Sequence, residues 1–123
     1  MLIDNLTIIG VGLIGGSLAR ALRKAKLVGR VTGCNRSEET LKKAVELDVI
    51  DDYSLNISEV VRDADVIVIG TPLSVSEKML PKLADLMTVN TILTDVGSVK
   101  GGIVSVARES LAEKFPNFVP GHP

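Results

Sequence analysis

Leu6-Thr7-Ile8-Ile9-Gly10-Val11-Gly12-Leu13-Ile14-Gly15-Gly16-Ser17-Leu18-Ala19 is the stretch whose reading decides the fold. A short β-rich run, Leu6 to Ile9, passes directly into the pattern Gly-x-Gly-x-x-Gly. Beyond it, Ile14, Leu18, Ala21, Leu22 and Ala25 recur at helical spacing, with Arg20, Arg23, Lys24 and Lys26 mostly on the other face. The pattern alone is weak, but here it closes a strand and opens a helix, the context it needs to bind a dinucleotide. Gly10 permits the tight turn, Gly12 leaves room for a pyrophosphate, and Gly15 lets helix and strand pack closely. Leu13 and Ile14 lie between them, where the unpaired amides of the helix start face the phosphates, aided by the helix dipole. A strand-to-helix turn with glycines for packing alone is the plainer alternative.

Outward from this loop the same unit repeats. Arg30 to Cys34, Asp65 to Ile69 and Thr91 to Thr94 read as further strands, with a weaker one at Asn117 to Val119. Helical periodicity follows each of the first four runs. It is carried by Leu41, Ala44, Val45 and Val49 after the second, and it spans Leu73 to Met87 and Val99 to Leu111 after the third and fourth. Alternating strands and helices imply right-handed crossovers and a parallel sheet, an α/β doubly wound Rossmann-type fold. Asp51-Asp52-Tyr53-Ser54 reads as a turn, and Ser58 to Arg62 as a short extra helix. No repeat, low-complexity segment or linker divides residues 1–123, which are read as one domain. Val119-Pro120-Gly121-His122-Pro123 leaves a strand and stops without a closing helix, so the chain reads as truncated.

Composition narrows the function classes. The 123 residues are 46% hydrophobic, with two Phe, one Tyr and no Trp, so Val, Ile, Leu and Ala must build the core in regular layers. A net charge of -1 offers no broad basic surface, and nucleic acid is not an expected partner. The one cysteine, Cys34, forms no internal disulfide and no metal-ligand spacing, and it is read as a small buried filler. No stretch reaches the ~20 apolar residues of a membrane span, and the start lacks a basic leader. A cytoplasmic protein without a metal is expected.

The second strand ends in Cys34-Asn35-Arg36-Ser37, with no acid before Glu38 and Glu39. An acid closing that strand would bond the ribose hydroxyls of NAD. Asn35, Arg36 and Ser37 offer donors instead, and a guanidinium takes a phosphate in bidentate fashion, so NADP is favoured and NAD stays open. Ser37 reads equally as a helix N-cap, a role compatible with phosphate binding. Thr71-Pro72 ends the third strand, since proline cannot continue a sheet interior, and places Thr71 toward the nicotinamide half or in an ordinary loop. The fourth strand runs into Asp95-Val96-Gly97-Ser98-Val99-Lys100, where Ser98 reads as the next N-cap. Lys100 falls near a positive helix end, where Asp95 or an anionic ligand would compensate it, or it is a solvated lysine. His122 follows the fifth strand on the carboxyl edge, where open α/β sheets bind ligands, and an imidazole there can accept a proton from a substrate hydroxyl.

Three segments taken together, Gly10 to Ala19, Asp95 to Lys100 and Pro120-Gly121-His122-Pro123, resemble the prephenate/arogenate dehydrogenase family of tyrosine biosynthesis. The resemblance spans the chain, and its second and third segments are the more specific. It implies oxidative decarboxylation of prephenate or L-arogenate, with hydride passing from the ring carbon bearing the hydroxyl to the nicotinamide as carbon dioxide leaves. It further implies that His122 polarises or deprotonates the ring hydroxyl and that Ser98 hydrogen-bonds near that hydroxyl and the nicotinamide. The family continues into a mostly helical domain that forms a homodimer and supplies groups for the substrate carboxylates. Without it, this chain by itself is expected to be inactive. Two other readings remain: a reductase of the 3-hydroxyacid or 6-phosphogluconate dehydrogenase type, which would leave Gly121-His122-Pro123 unexplained, and a non-catalytic NAD(P)-sensing domain.

Overall fold

The computed structural model of the chain describes residues 3–10, 13–70, 73–88, 90–95 and 118–120. Its elements run β1 (Ile3–Ile9), α1 (Leu13–Lys24), β2 (Val28–Cys34), α2 (Glu38–Glu46), β3 (Asp52–Tyr53), α3 (Ile57–Val61), β4 (Val66–Ile69), α4 (Leu73–Leu86), β5 (Ile92–Asp95) and β6 (Phe118–Pro120). The six strands form one sheet in the order β3-β2-β1-β4-β5-β6, every pair parallel. The chain winds outward one way from β1 to β3 and the other way from β4 to β6. This is the doubly wound arrangement expected from the alternation, with its switch point between β1 and β4.

Strand periodicity divides the core into two layers. Leu6 and Ile8 of β1, Val31 of β2 and Val68 of β4 pack with Ala19, Leu41 and Ala44 on the face of α1 and α2. Ile9, Cys34, Ile67, Ile69 and Leu93 pack with Val60, Val61, Leu80 and Leu83 on the face of α3 and α4. Adjacent residues thus serve opposite faces, as the pleat requires. Thr7 is the exception in β1: it is 2% exposed on the second face, and its hydroxyl donates to the Val60 carbonyl at 2.5 Å. That bond ties α3 to the central strand without leaving a buried polar group unpaired.

Two helix ends show why the chain turns where it does. Lys26, at φ 59°, follows α1, with its amide donating to the Arg23 carbonyl and that of Leu27 to the Leu22 carbonyl. Asp48, at φ 62°, repeats the arrangement after α2, with bonds from Asp48 to Val45 and from Val49 to Ala44. Both are left-handed caps of the Schellman kind, closed here without glycine.

Several sequence expectations need correction. Asp52 and Tyr53 are not merely a turn but a two-residue edge strand, paired with Thr32 and Gly33. β2 begins at Val28 rather than Arg30, and Val49 is buried just beyond α2 instead of within it. Arg23 is not simply on a solvated face. Its guanidinium pairs with the Asp51 carboxylate and donates to the Asp48 carbonyl at 2.6 Å, while Asp51 accepts from the Val31 amide at 2.8 Å. The short extra helix is present as α3, its start capped by the Asn56 side chain accepting from Ser58. The helical pattern read at Val99 to Leu111 lies outside the described residues.

Candidate functional site

The register aligns the strand ends. Ile9 pairs with Cys34 on one side and with Ile69 on the other, Ile69 with Asp95, and Asp95 with Pro120. Five strands therefore finish level along one carboxyl edge. The ladder continues one step past β1 and β4: the Gly10 amide donates to the Cys34 carbonyl and the Gly70 amide to the Ile9 carbonyl, both at 2.8 Å. The segments singled out from the sequence all leave from this edge, which in open α/β sheets is the ligand-binding edge.

Gly10 takes φ 83°, left-handed backbone that favours a residue without a Cβ. The turn it makes brings the chain from the end of β1 to the start of α1, which contains Leu13, Ile14 and Gly15. No acid occupies the first turn of α1, whereas Glu38 and Glu39 stand in that of α2 and Glu59 in that of α3. An acid at a helix start is stabilised by the dipole and would repel a phosphate. α1 and α4 both begin without an acid, and of these α1 is the helix behind the glycine loop. Gly16 has a different role, since a Cβ there would meet Val49 Cγ1 at 3.5 Å and so points at the α2 layer.

At the end of β2, the Asn35 side-chain oxygen accepts from the Arg36 amide at 2.7 Å. The Ser37 hydroxyl accepts from the Thr40 amide at 3.2 Å and caps α2, as its position suggested. Arg36 and Ser37 are exposed. Glu38 reaches Lys42 at 3.6 Å, one helical turn on, and so takes a partner on its own helix. Cys34 is buried, 4% exposed, and burial pushes its thiol up from the usual range while the charge of Lys82 works the other way. It is a filler in the core beneath the edge, as expected. The donor set around the glycine loop and the β2 end fits a dinucleotide: a turn kept open by Gly10, a helix start free of acid, and a β2 end that offers a guanidinium.

Gly12, Thr71, Pro72, Ser98, Lys100 and His122 lie outside the described residues. β4, β5 and β6, the strands that lead to them, end on the same edge as β1 and β2. No helix among the described residues is long and apolar enough to cross a membrane, and no group of three or more metal-ligating side chains occurs among them.

Comparison with known proteins identifies the arrangement. Residues 18–123 match the family model described as the prephenate dehydrogenase nucleotide-binding domain. The prephenate dehydrogenase of Bacillus subtilis is 37% identical over 121 residues, covering 98% of this chain and 32% of its own. Two solved structures superpose closely. The prephenate dehydrogenase of A. aeolicus, in complex with hydroxyphenyl propionate and NAD+, gives a TM-score of 0.85 at 31% identity over 98% of this chain and 41% of its own. Synechocystis arogenate dehydrogenase gives 0.82 at 33% identity over 97% and 40%. The chain thus spans about one third of the length of the curated relative.

Proposed function

Since this chain belongs to the prephenate dehydrogenase family as its nucleotide-binding domain, we propose that it binds a nicotinamide dinucleotide across its carboxyl edge and supplies the cofactor half of an oxidative decarboxylation. The observation that carries this reading is the left-handed Gly10 turn between β1 and the acid-free start of α1, level with the end of β2. Amides at that helix start hold the pyrophosphate. Asn35, Arg36 and Ser37 meet the adenine ribose, and because they offer donors where an acid would repel charge, NADP is favoured over NAD. The A. aeolicus structure holds NAD+, which supports the nicotinamide class and leaves the 2′-phosphate to experiment.

A bound oxidised nicotinamide supplies the hydride acceptor. The reading assigns the remaining work to two groups after β5 and β6. His122 takes or polarises the proton of the ring hydroxyl, so that the carbon bearing it can release hydride as a carbonyl forms. Ser98 donates a hydrogen bond near the same hydroxyl and orients the nicotinamide, with Thr71 and Pro72 bordering that half of the crevice. Loss of carbon dioxide then leaves an aromatic ring, which drives the step forward. The substrate is prephenate or L-arogenate, whose carboxylates are recognised by the helical domain of the complete enzyme. That enzyme acts as a homodimer in the cytoplasm, and the cofactor domain alone does not turn over.

The test is His122→Asn in the complete enzyme, assayed with both prephenate and L-arogenate. Positioned proton transfer contributes about 100- to 10,000-fold, so turnover should fall by that order while cofactor affinity stays unchanged. Near-normal turnover with an unchanged acidic limb of the pH profile would make His122 a bystander.

A further inference from the structure

The ladder between β2 and β3 runs on past its paired residues. Tyr53 pairs with Gly33, and the next amide, that of Ser54, donates to the Gly33 carbonyl at 3.1 Å. Carried on by that bond, the register brings Ser54 level with Cys34 and Leu55 level with Asn35, one strand spacing outward along the carboxyl edge. The turn that carries Leu55 is pinned on both sides. The Ser54 hydroxyl donates to Glu59 of α3 and accepts from the Asn56 amide at 3.0 Å, and the Asn56 side chain caps α3 by accepting from the Ser58 amide at 2.9 Å. Leu55 is nonetheless 55% exposed. The other large apolar side chains found exposed among the described residues, Leu27, Leu47 and Ile92, lie at the opposite, amino edge: Leu27 precedes β2, Leu47 follows α2 and Ile92 opens β5. Leu55 therefore stands apart from them, an apolar group held in solvent beside the end of β2.

We propose that Leu55 is the apolar wall against which the adenine ring of the dinucleotide lies. This rests on the dinucleotide reading above and deepens it at its outer end. In that reading the pyrophosphate lies at the start of α1, behind β1, and the adenine ribose at the end of β2, so this half of the ligand runs outward along the edge. The base then continues toward β3, where Leu55 stands. The faces of an adenine ring are apolar, and covering one with a leucine removes apolar surface of both from water. Because the turn is already ordered, little freedom is lost when the base arrives. The contact carries no charge, so it serves NADP and NAD alike, in contrast to Arg36, which meets the 2′-phosphate.

The experiment is calorimetric titration of NADP+, NAD+ and ADP-ribose, which keeps the adenosine half and lacks the nicotinamide, into the 123-residue chain and into Leu55→Ser and Leu55→Met. Leu55→Ser should weaken all three by one common factor of about three- to tenfold, the size expected for losing the apolar contact of a half-exposed leucine. That factor should hold at low and at physiological ionic strength, because no charge is involved. Leu55→Met should keep the affinities of the unmodified chain, since a methionine of similar bulk covers the same surface. Both variants should show the native circular dichroism spectrum, because Leu55 lies outside β3 and α3 and is more than half exposed. Unchanged binding by Leu55→Ser, a loss confined to NADP+, or undiminished binding of ADP-ribose overturns the role of Leu55 while leaving the nucleotide site standing. Failure of the unmodified chain to bind either cofactor overturns the underlying reading and this inference with it.

Discussion

Alanine at Gly10 and alanine at Gly16 should move stability in opposite directions, although the two glycines stand only six positions apart, one opening the glycine motif and the other just past it. At Gly10 the backbone is held at φ 83°, and its amide donates to Cys34 at 2.8 Å, so the turn cannot relax without breaking the ladder between β1 and β2. An L side chain in left-handed backbone costs roughly 1–2 kcal/mol, and Gly10→Ala should destabilise by that amount. Gly16 lies within α1, where a Cβ would touch Val49 Cγ1 at 3.5 Å, an ordinary contact. Glycine inside a helix costs roughly 0.5–1 kcal/mol relative to alanine, so Gly16→Ala should stabilise by up to that much. The two variants should then differ by about 1.5–3 kcal/mol, a separation of order 5–15 °C in Tm. Urea unfolding followed by circular dichroism reads it directly, provided the slope with denaturant stays constant. Gly16→Ala should also keep cofactor binding, because its new methyl faces the α2 layer. A Gly10→Ala variant as stable as the parent, or a Gly16→Ala variant weakened by about 1 kcal/mol or more, would refute this account of the loop.

Two further outcomes follow from the same geometry. Arg36→Ala should weaken NADP+ by about 1.5–3 kcal/mol, the range for a hydrogen bond to a charged group, and leave NAD+ nearly unchanged in calorimetry. Asp51→Asn should cost about 1–2 kcal/mol in urea unfolding, because the carboxylate both pairs with Arg23 and accepts from the Val31 amide, while its partial exposure limits the ion-pair part.

What could be read in advance follows from how strongly each element is marked. β1, the glycine loop and α1 were legible because a β-rich run, three glycines and a helical stripe follow one another without a gap. β4 was legible as an apolar run buried on both faces and β2 and β5 as short β-rich runs between helical stretches, and Ser37 as a cap because a hydroxyl before Glu38 and Glu39 has a strong local preference. The β3 strand was hidden, since two residues carry no periodicity and Asp52 pairs with Thr32 only because the sheet is already there. The Arg23 clamp was hidden for a similar reason: a cation at a helical spacing reads as solvated until Asp51, 28 residues on, is brought beside it by the fold. The glycine loop was the more legible part of the candidate site because the chemistry expected of it resides in the backbone, whereas the roles expected of Ser98 and His122 rest on side chains outside the described residues.

The central claim is that the carboxyl edge holds a nicotinamide dinucleotide through the glycine turn and the start of α1. Calorimetric titration of NADP+ and NAD+ into the 123-residue chain and into Gly12→Val tests it most directly, with circular dichroism as the check on folding. The account predicts that the unmodified chain binds, NADP+ more tightly than NAD+, and that Gly12→Val retains the native spectrum and binds neither, because a branched side chain would occupy the space of the pyrophosphate. Undiminished binding by a natively folded Gly12→Val would contradict it, leaving the glycines as a packing device.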